Sequence, residues 1–252
     1  QQAPQGVFSI QDEIRDLSEV GRKRISITVN GTLLMAGDLI LNYENPDSLI
    51  VLKADKLEFN DGLVHANTIN LQSVTSLEQG AESAIVGINV NLVAGVELDK
   101  FTYGTTMLVN PKDLANARVA QKDEAILRAY NLNVTSNADI DLGSQANKIF
   151  NVTADAQKSI QIASGSLKGS TLGYDENAVI TATVKNSHDA DNKVHGDVIF
   201  MVYDTDTIKN NLYGKGDFLA TGDIMFYDEG ANLDLHNDGG KIMADGMVVL
   251  MA

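Results

Sequence analysis

The sequence predicts a mainly β protein built of short stacked strands, of the β-solenoid or β-helix kind, with an α-helix near its N-terminal end. Three observations carry this expectation. First, long stretches alternate apolar and polar residues with a period of two, as in "NLNVTSNADIDLGSQANKIFNVTADAQKSIQIASGSL". There Leu132 goes with Val134, Ile140 with Leu142, Ile149 with Val152 and Ile160 with Ile162, and short turns of Ser, Asn, Asp, Gly and Gln lie between. Second, the run Gly-Asp, aliphatic residues, Tyr, acidic turn is written three times, from Gly37, Gly196 and Gly222. Third, 252 residues at 44% hydrophobic bury a real core without a single cysteine. An antiparallel β-sandwich or jelly roll gives a similar alternation and stands as the alternative.

In chain order, the first seven residues carry no periodicity and read as a flexible lead. "SIQDEIRDLSEVGRKR" then has helix signals. Ser9 is placed to cap, Ile10, Ile14, Leu17 and Val20 share a face, and Gly21 supplies the stop. Residues 1–24 are thus a lead plus helix, and 25–252 form the β-rich body. In "ISITVNGTLLMAGDLIL" the pair Asn30-Gly31 predicts a tight hairpin. Asn60-Asp61-Gly62 marks a second turn, which parallels Asn237-Asp238-Gly239. The segment 110–130 is rich in Ala, Arg, Lys and Glu and reads as a second helix from Pro111, with a strand inside "EAILRAY" as its competitor. It and the segment 186–196 are the two places where the body could divide.

The Gly-Asp runs enter "LIL", "VIFMV" and "IMF", which do not alternate and so predict strands covered on both faces. Gly accepts an unusual backbone angle there, and Asp can bond nearby amides. Tyr43, Tyr203 and Tyr227 bring each run to a wet edge. The final "GMVVLMA" is apolar, and such a strand must pair inside the fold or add to a neighbouring subunit's sheet.

Charge narrows the function. The net −15 repels nucleic-acid phosphates and anionic membranes. No apolar run has the roughly 18 residues of a membrane span. The opening Gln-Gln-Ala-Pro-Gln-Gly looks like a mature end left by signal-peptide removal, which predicts secretion to the cell surface or beyond. Four acids and four bases balance in residues 1–24, so the whole negative charge lies in the body. Arg22, Lys23 and Arg24 then form a basic collar beside it.

No nucleophile elbow, phosphate loop or dinucleotide fingerprint occurs, and His65, His188, His195 and His236 lack zinc spacing. Calcium is the one cofactor with candidate ligands, the weak set Asp189, Asp191, Asp204, Asp206, Asp228 and Asp234 in acidic turns. Sequons start at Asn30, Asn133 and Asn151.

The stretch from about Leu57 to Leu172, above all "NLNVTSNADIDL" and "KLEFNDGLVHANTINL", resembles the repeats of filamentous-haemagglutinin-type surface proteins. More broadly the chain is similar to the secreted β-rich subunits of prokaryotic surface filaments. The first resemblance implies a right-handed β-helix displayed outside the cell, and the second implies assembly into a fibre. Neither implies catalytic residues.

The expectation is a secreted, non-enzymatic structural subunit whose partners are copies of itself. Its assembly surfaces would be Arg22, Lys23 and Arg24 at one end and Met247, Val248, Val249 and Leu250 at the other. A monomeric adhesin or glycan-binding module for a host surface is the second reading, and a polysaccharide-active enzyme the third.

Overall fold

A computed structural model describes residues 6–11, 21–98, 111–164, 179–186, 198–203, 211–229, 236–237 and 240–251. The strands are β1 (Gly6–Gln11), β2 (Arg24–Ala36), β3 (Leu39–Ile40) and β4 (Leu49–Ala94). The short helix α1 (Pro111–Ala115) is followed by β5 (Arg118–Gln121), β6 (Ile126–Ser136), β7 (Ile140–Leu142) and β8 (Lys148–Ala156). Then come β9 (Ile160–Ser164), β10 (Val179–Asn186), β11 (Val198–Tyr203) and β12 (Asn211–Ala220). The last are β13 (Ile224–Glu229), β14 (His236–Asn237), β15 (Ile242–Ala244) and β16 (Val248–Met251).

All sixteen strands among the described residues join one curled sheet, ordered β14-β12-β10-β8-β6-β4-β5-β7-β9-β11-β13-β16, with β1, β2, β3 and β15 attached beside this path. Every pairing in it is parallel, β6 on β8 and β7 on β9 for example. A parallel neighbour requires the chain to travel round before it returns. The pattern is compatible with a β-solenoid and is not that of an antiparallel sandwich. From β5 to β14 the strands fall alternately on two stacks, the even-numbered on one side of β4 and the odd-numbered on the other, after which β15 joins the even stack through β12 and β16 the odd stack through β13. The 46-residue β4 bridges both and folds back on itself. The Thr68 amide donates to Ser48 O at 3.0 Å, and Thr75 Oγ1 donates to Asp55 O at 2.9 Å, twenty residues away.

The alternation seen in the sequence sets which side chains go inside. In β6, Leu127, Ala129, Leu132 and Val134 are buried, and their neighbours face out. Stacking in register turns single residues into ladders: Val90, Leu132 and Val152 form one, and Val119, Ile140, Ile160, Val198 and Ile224 another. Burying each aliphatic side chain contributes about 1.5–3 kcal/mol. The core cluster runs through all the coils from Leu33 to Phe226.

Polar groups fill the corners. Ser136 Oγ lies 2.7 Å from Ala117 O and 3.0 Å from Asp139 O, and accepts the Ala138 amide. Gln79, Gln121 and Asn147 make a buried amide ladder, in which Gln121 Nε2 donates to Gln79 Oε1 at 3.1 Å and Asn147 Nδ2 to Gln121 Oε1 at 2.8 Å. Burial without partners would cost each amide its lost hydration, so the ladder fixes which coil sits on which.

Four sequence expectations need correction. Gly6–Gln11 is a strand paired with Gly31–Ala36, so the last two residues of the lead and the start of the expected helix are extended; residues 1–5 and 12–20 lie outside the described residues. A strand pairing between residues 6–11 and the sheet outweighs the local capping signals, because helix signals act weakly against tertiary contacts. Asn30-Gly31 does not make a hairpin. β2 runs through it and only bends, with Gly31 at φ 119° and a register shift against β4. The expected helix over 110–130 shrinks to Pro111–Ala115, and "EAILRAY" enters β6 as the competing reading held. The Gly-Asp runs are covered on one face only: Leu39, Leu41, Val198, Phe200, Ile224 and Phe226 are buried, whereas Ile40, Ile199, Met201 and Met225 are half-exposed.

Candidate assembly and binding surfaces

The Gly-Asp pair is a joint between coils. Asp38 Oδ1 accepts the Leu63 amide at 2.8 Å, and Asp223 Oδ1 accepts the Met247 amide at 2.8 Å. The carboxylate thus serves a backbone group 24 or 25 residues on, not its own turn as the sequence suggested. Gly37 lies under Gly62, and Gly222 O accepts the Gly246 amide at 2.9 Å. A counterpart of Asp61-Gly62-Leu63 is therefore Asp245-Gly246-Met247, while Asp238-Gly239 of the second Asn-Asp-Gly lies outside the described residues. A joint missed in the sequence is Gly216-Asp217, where Asp217 Oδ1 accepts the Lys241 amide at 3.1 Å. The Gly-Asp dipeptide was its visible signal. Gly196-Asp197 lies outside the described residues.

At one end of the stack Arg22, Lys23 and Arg24 are exposed, and Lys23 Nζ sits 3.4 Å from Asp47 Oδ2. Ile25, Ile27 and Val29 pack half-buried against the core. Among the described residues, the 24–29 part of β2 pairs only with β4 and β1 pairs only with β2. At the other end, again among the described residues, β16 pairs only with β13 and β15 only with β12. Val248 is in register with Ile224, and Leu250 with Phe226, so both continue core ladders. They are nevertheless 48% and 57% exposed, and Met247 is 65% exposed. Val249 faces the outer side and is half-buried.

A groove of about 360 Å³ lies on the outer face of the odd-numbered stack, lined by Glu58, Glu78, Gln121, Arg118 and Asp141 among others. Glu78 is its most engaged charge. Arg118 Nη2 meets Glu78 Oε1 at 3.0 Å, and Lys56 Nζ meets Glu78 Oε2 at 3.2 Å. Burial raises the Glu78 carboxyl, but hydrogen bonds from Arg118 and Lys56 outweigh it and hold the group below its ordinary range. Asp141 goes the other way. Burial lifts it above the usual carboxylate range, the Gly143 amide partly offsets this, and Asp123 and Asp139 add to the rise.

On the opposite side, β6 and β8 present outward Tyr130 stacked on Phe150, ring centroids 4.7 Å apart. Arg128 is in register with Lys148 in the same two strands. Beside them runs an amide ladder: Asn131 Nδ2 donates to Asn89 Oδ1 at 2.8 Å, and Asn151 Nδ2 to Asn131 Oδ1 at 3.0 Å. A parallel ladder joins Asn70, Asn91 and Asn133. The sequon amides of Asn133 and Asn151 thus sit inside ladders, while Asn30 is exposed at the β2 bend.

Of the calcium candidates, Asp189, Asp191, Asp204, Asp206 and Asp234 lie outside the described residues, and Asp228 is placed in β13 by its backbone. Among the described residues no cluster of three or more His, Cys, Asp or Glu could hold a metal ion. Tyr43 stacks on His65 with centroids 4.8 Å apart. Among the described residues no helix is long and apolar enough to cross a membrane. No family model, curated protein or solved structure matches the chain.

Proposed function

We propose that the protein is a secreted structural subunit, a solenoid that stacks head to tail with copies of itself. The observation that carries this reading is the exposure of Val248 and Leu250, which stand where two core ladders would continue into another coil. Both ends of the stack offer strand edges on the same two sides. β15 lies on the even stack, as does the 24–29 part of β2, and β16 lies on the odd stack, as does β1 through its pairing with Gly31–Ala36. A second copy can therefore place its β1 on β16 and its β2 on β15 with all strands still parallel. Such a contact joins unlike surfaces and propagates into an open filament. Opposite charge favours the same orientation, with exposed Arg22 and Arg24 at one end and exposed Asp245 at the other.

Association, not catalysis, is the work this reading assigns. The groove supports it, since Arg118 and Lys56 are engaged by Glu78 and Glu58 in a charge ladder that ties coils together. Sedimentation velocity over a range of concentrations tests the proposal. The wild type should form a growing series of oligomers, and the double variant Val248→Asp, Leu250→Asp should stay monomeric with an unchanged circular dichroism spectrum. A wild type that stays monomeric throughout would refute it.

A further inference from the structure

Sequons start at Asn30, Asn133 and Asn151, and head-to-tail stacking uses none of them. The fold treats the three differently. Asn133 is paired on both sides, with Asn91 in β4 and Thr153 in β8, and its Nδ2 donates to Asn91 Oδ1 at 2.8 Å. Asn151 is likewise paired with Asn131 and Thr181, and its Nδ2 donates to Asn131 Oδ1 at 3.0 Å. Asn30 is held in neither way. Along β2 the register with β4 runs to Val29 and resumes at Thr32, and the register with β1 starts at Gly31. Among the described residues, Asn30 is thus the one position of β2 with no partner in either neighbouring strand. Gly31 beside it has φ 119°, where the strand bends. Ile25, Ile27 and Val29 pack half-buried against the core, and Asn30 continues the outward row that alternates with them. It is exposed, and no hydrogen bond holds its amide among the described residues.

We infer that Asn30 is the site of an N-linked glycan. An acceptor asparagine has to present its side-chain nitrogen at the surface, and a hydroxyl two residues on marks it for the transferase. Asn30-Gly31-Thr32 meets both conditions, and Gly31 adds no side chain to crowd the approach. The donor is a lipid-linked oligosaccharide phosphate. Asn30 Nδ2 bonds to the anomeric carbon of the first sugar, the lipid phosphate leaves with the electrons of the broken C–O bond, and one amide proton is released. At Asn133 or Asn151 the sugar would need a nitrogen that already ties two coils together, in a backbone paired on both sides. The outward direction of Asn30 sets the glycan beside the stack, on the face of β2 opposite Ile27 and Val29, so the seam between copies stays open. The inference rests on the secreted part of the proposed function and not on head-to-tail assembly.

Peptide mapping by mass spectrometry tests it on two preparations. One is the protein purified from the cells that make it. The other is the same chain secreted from cultured eukaryotic cells behind a cleavable signal peptide, which delivers it to a glycosylating compartment whether or not its own cells secrete it. In both, the peptide holding Asn30 should carry sugar in most molecules, while those holding Asn133 and Asn151 stay bare. Asn30→Gln and Thr32→Val should each remove the sugar, and Thr32→Ser should keep it. A bare Asn30 in the routed protein, a bare Asn30 in native protein recovered outside the cell, or sugar on Asn133 or Asn151 in its place would overturn the inference with secretion intact. Native protein found bare and inside the cell would refute the secreted reading, and the inference would fall with it.

Discussion

Asn131 shows how single residues hold the coils in register. Its side chain both gives and accepts an amide hydrogen bond, to Asn89 on one side and from Asn151 on the other. Asn131→Ala leaves both neighbours short of a partner and should cost about 1–2 kcal/mol in urea denaturation. Asn133 is exposed and only donates to Asn91, so Asn133→Ala should cost less than about 0.5 kcal/mol. Asp141 makes the opposite case. Because its folded pKa lies above the unfolded value, its charged form is a burden that appears as pH rises above the unfolded pKa and is complete above the folded one. Asp141→Asn should therefore raise the melting temperature at pH 7, and the gain should disappear as pH falls through the carboxylate range. Glu78 behaves in reverse, its contribution being present at neutral pH and lost as pH falls through its lowered folded pKa. None of these ladders was legible in the sequence. Asn89 and Asn131 are 42 residues apart and Asn131 and Asn151 only 20, so an uneven offset hides the partner that a fixed period would have revealed.

Among the elements, the glycine joints decide whether one coil can seat on the next. Gly62 has φ 85°, and a Cβ added there would lie 2.5 Å from the Gly37 carbonyl carbon. Gly62→Ala combines backbone strain with a clash against backbone and should cost more than about 3 kcal/mol. Gly21 shares the left-handed backbone at φ 68° but has nothing within 4 Å. Gly21→Ala should therefore cost only about 1–2 kcal/mol, the strain alone. Paired denaturation curves separate the two effects. The sequence announced these joints through repeated Gly-Asp but misplaced their partners, since a carboxylate reaching 24 or 25 residues ahead looks locally like an ordinary turn. The inward faces were readable, because Leu132, Val134, Ile140, Leu142, Ile160 and Ile162 are all buried as their alternation required. Asn30-Gly31 misled because a tight bend inside one strand and a hairpin turn use the same dipeptide. Ser9–Gln11 misled because capping signals are local, whereas the pairing of β1 with β2 is not.

For the molecule as a whole, the sheet has ladders that run its length and reach exposed apolar rungs at one end. The mainly β character followed from periodicity. The choice between parallel coils and an antiparallel sandwich did not, because a period of two reports only which side chains share a face and says nothing of the direction of the neighbour. The central claim is that the seam between coils continues from one copy to the next. Electron cryomicroscopy of the concentrated wild type tests it most directly. The account predicts unbranched filaments in which the strands of β16 and of the next copy's β1 lie about 4.8 Å apart, the spacing found between neighbours within the sheet. Isolated particles, or filaments joined through the outer faces with Val248 and Leu250 left open to solvent, would contradict it.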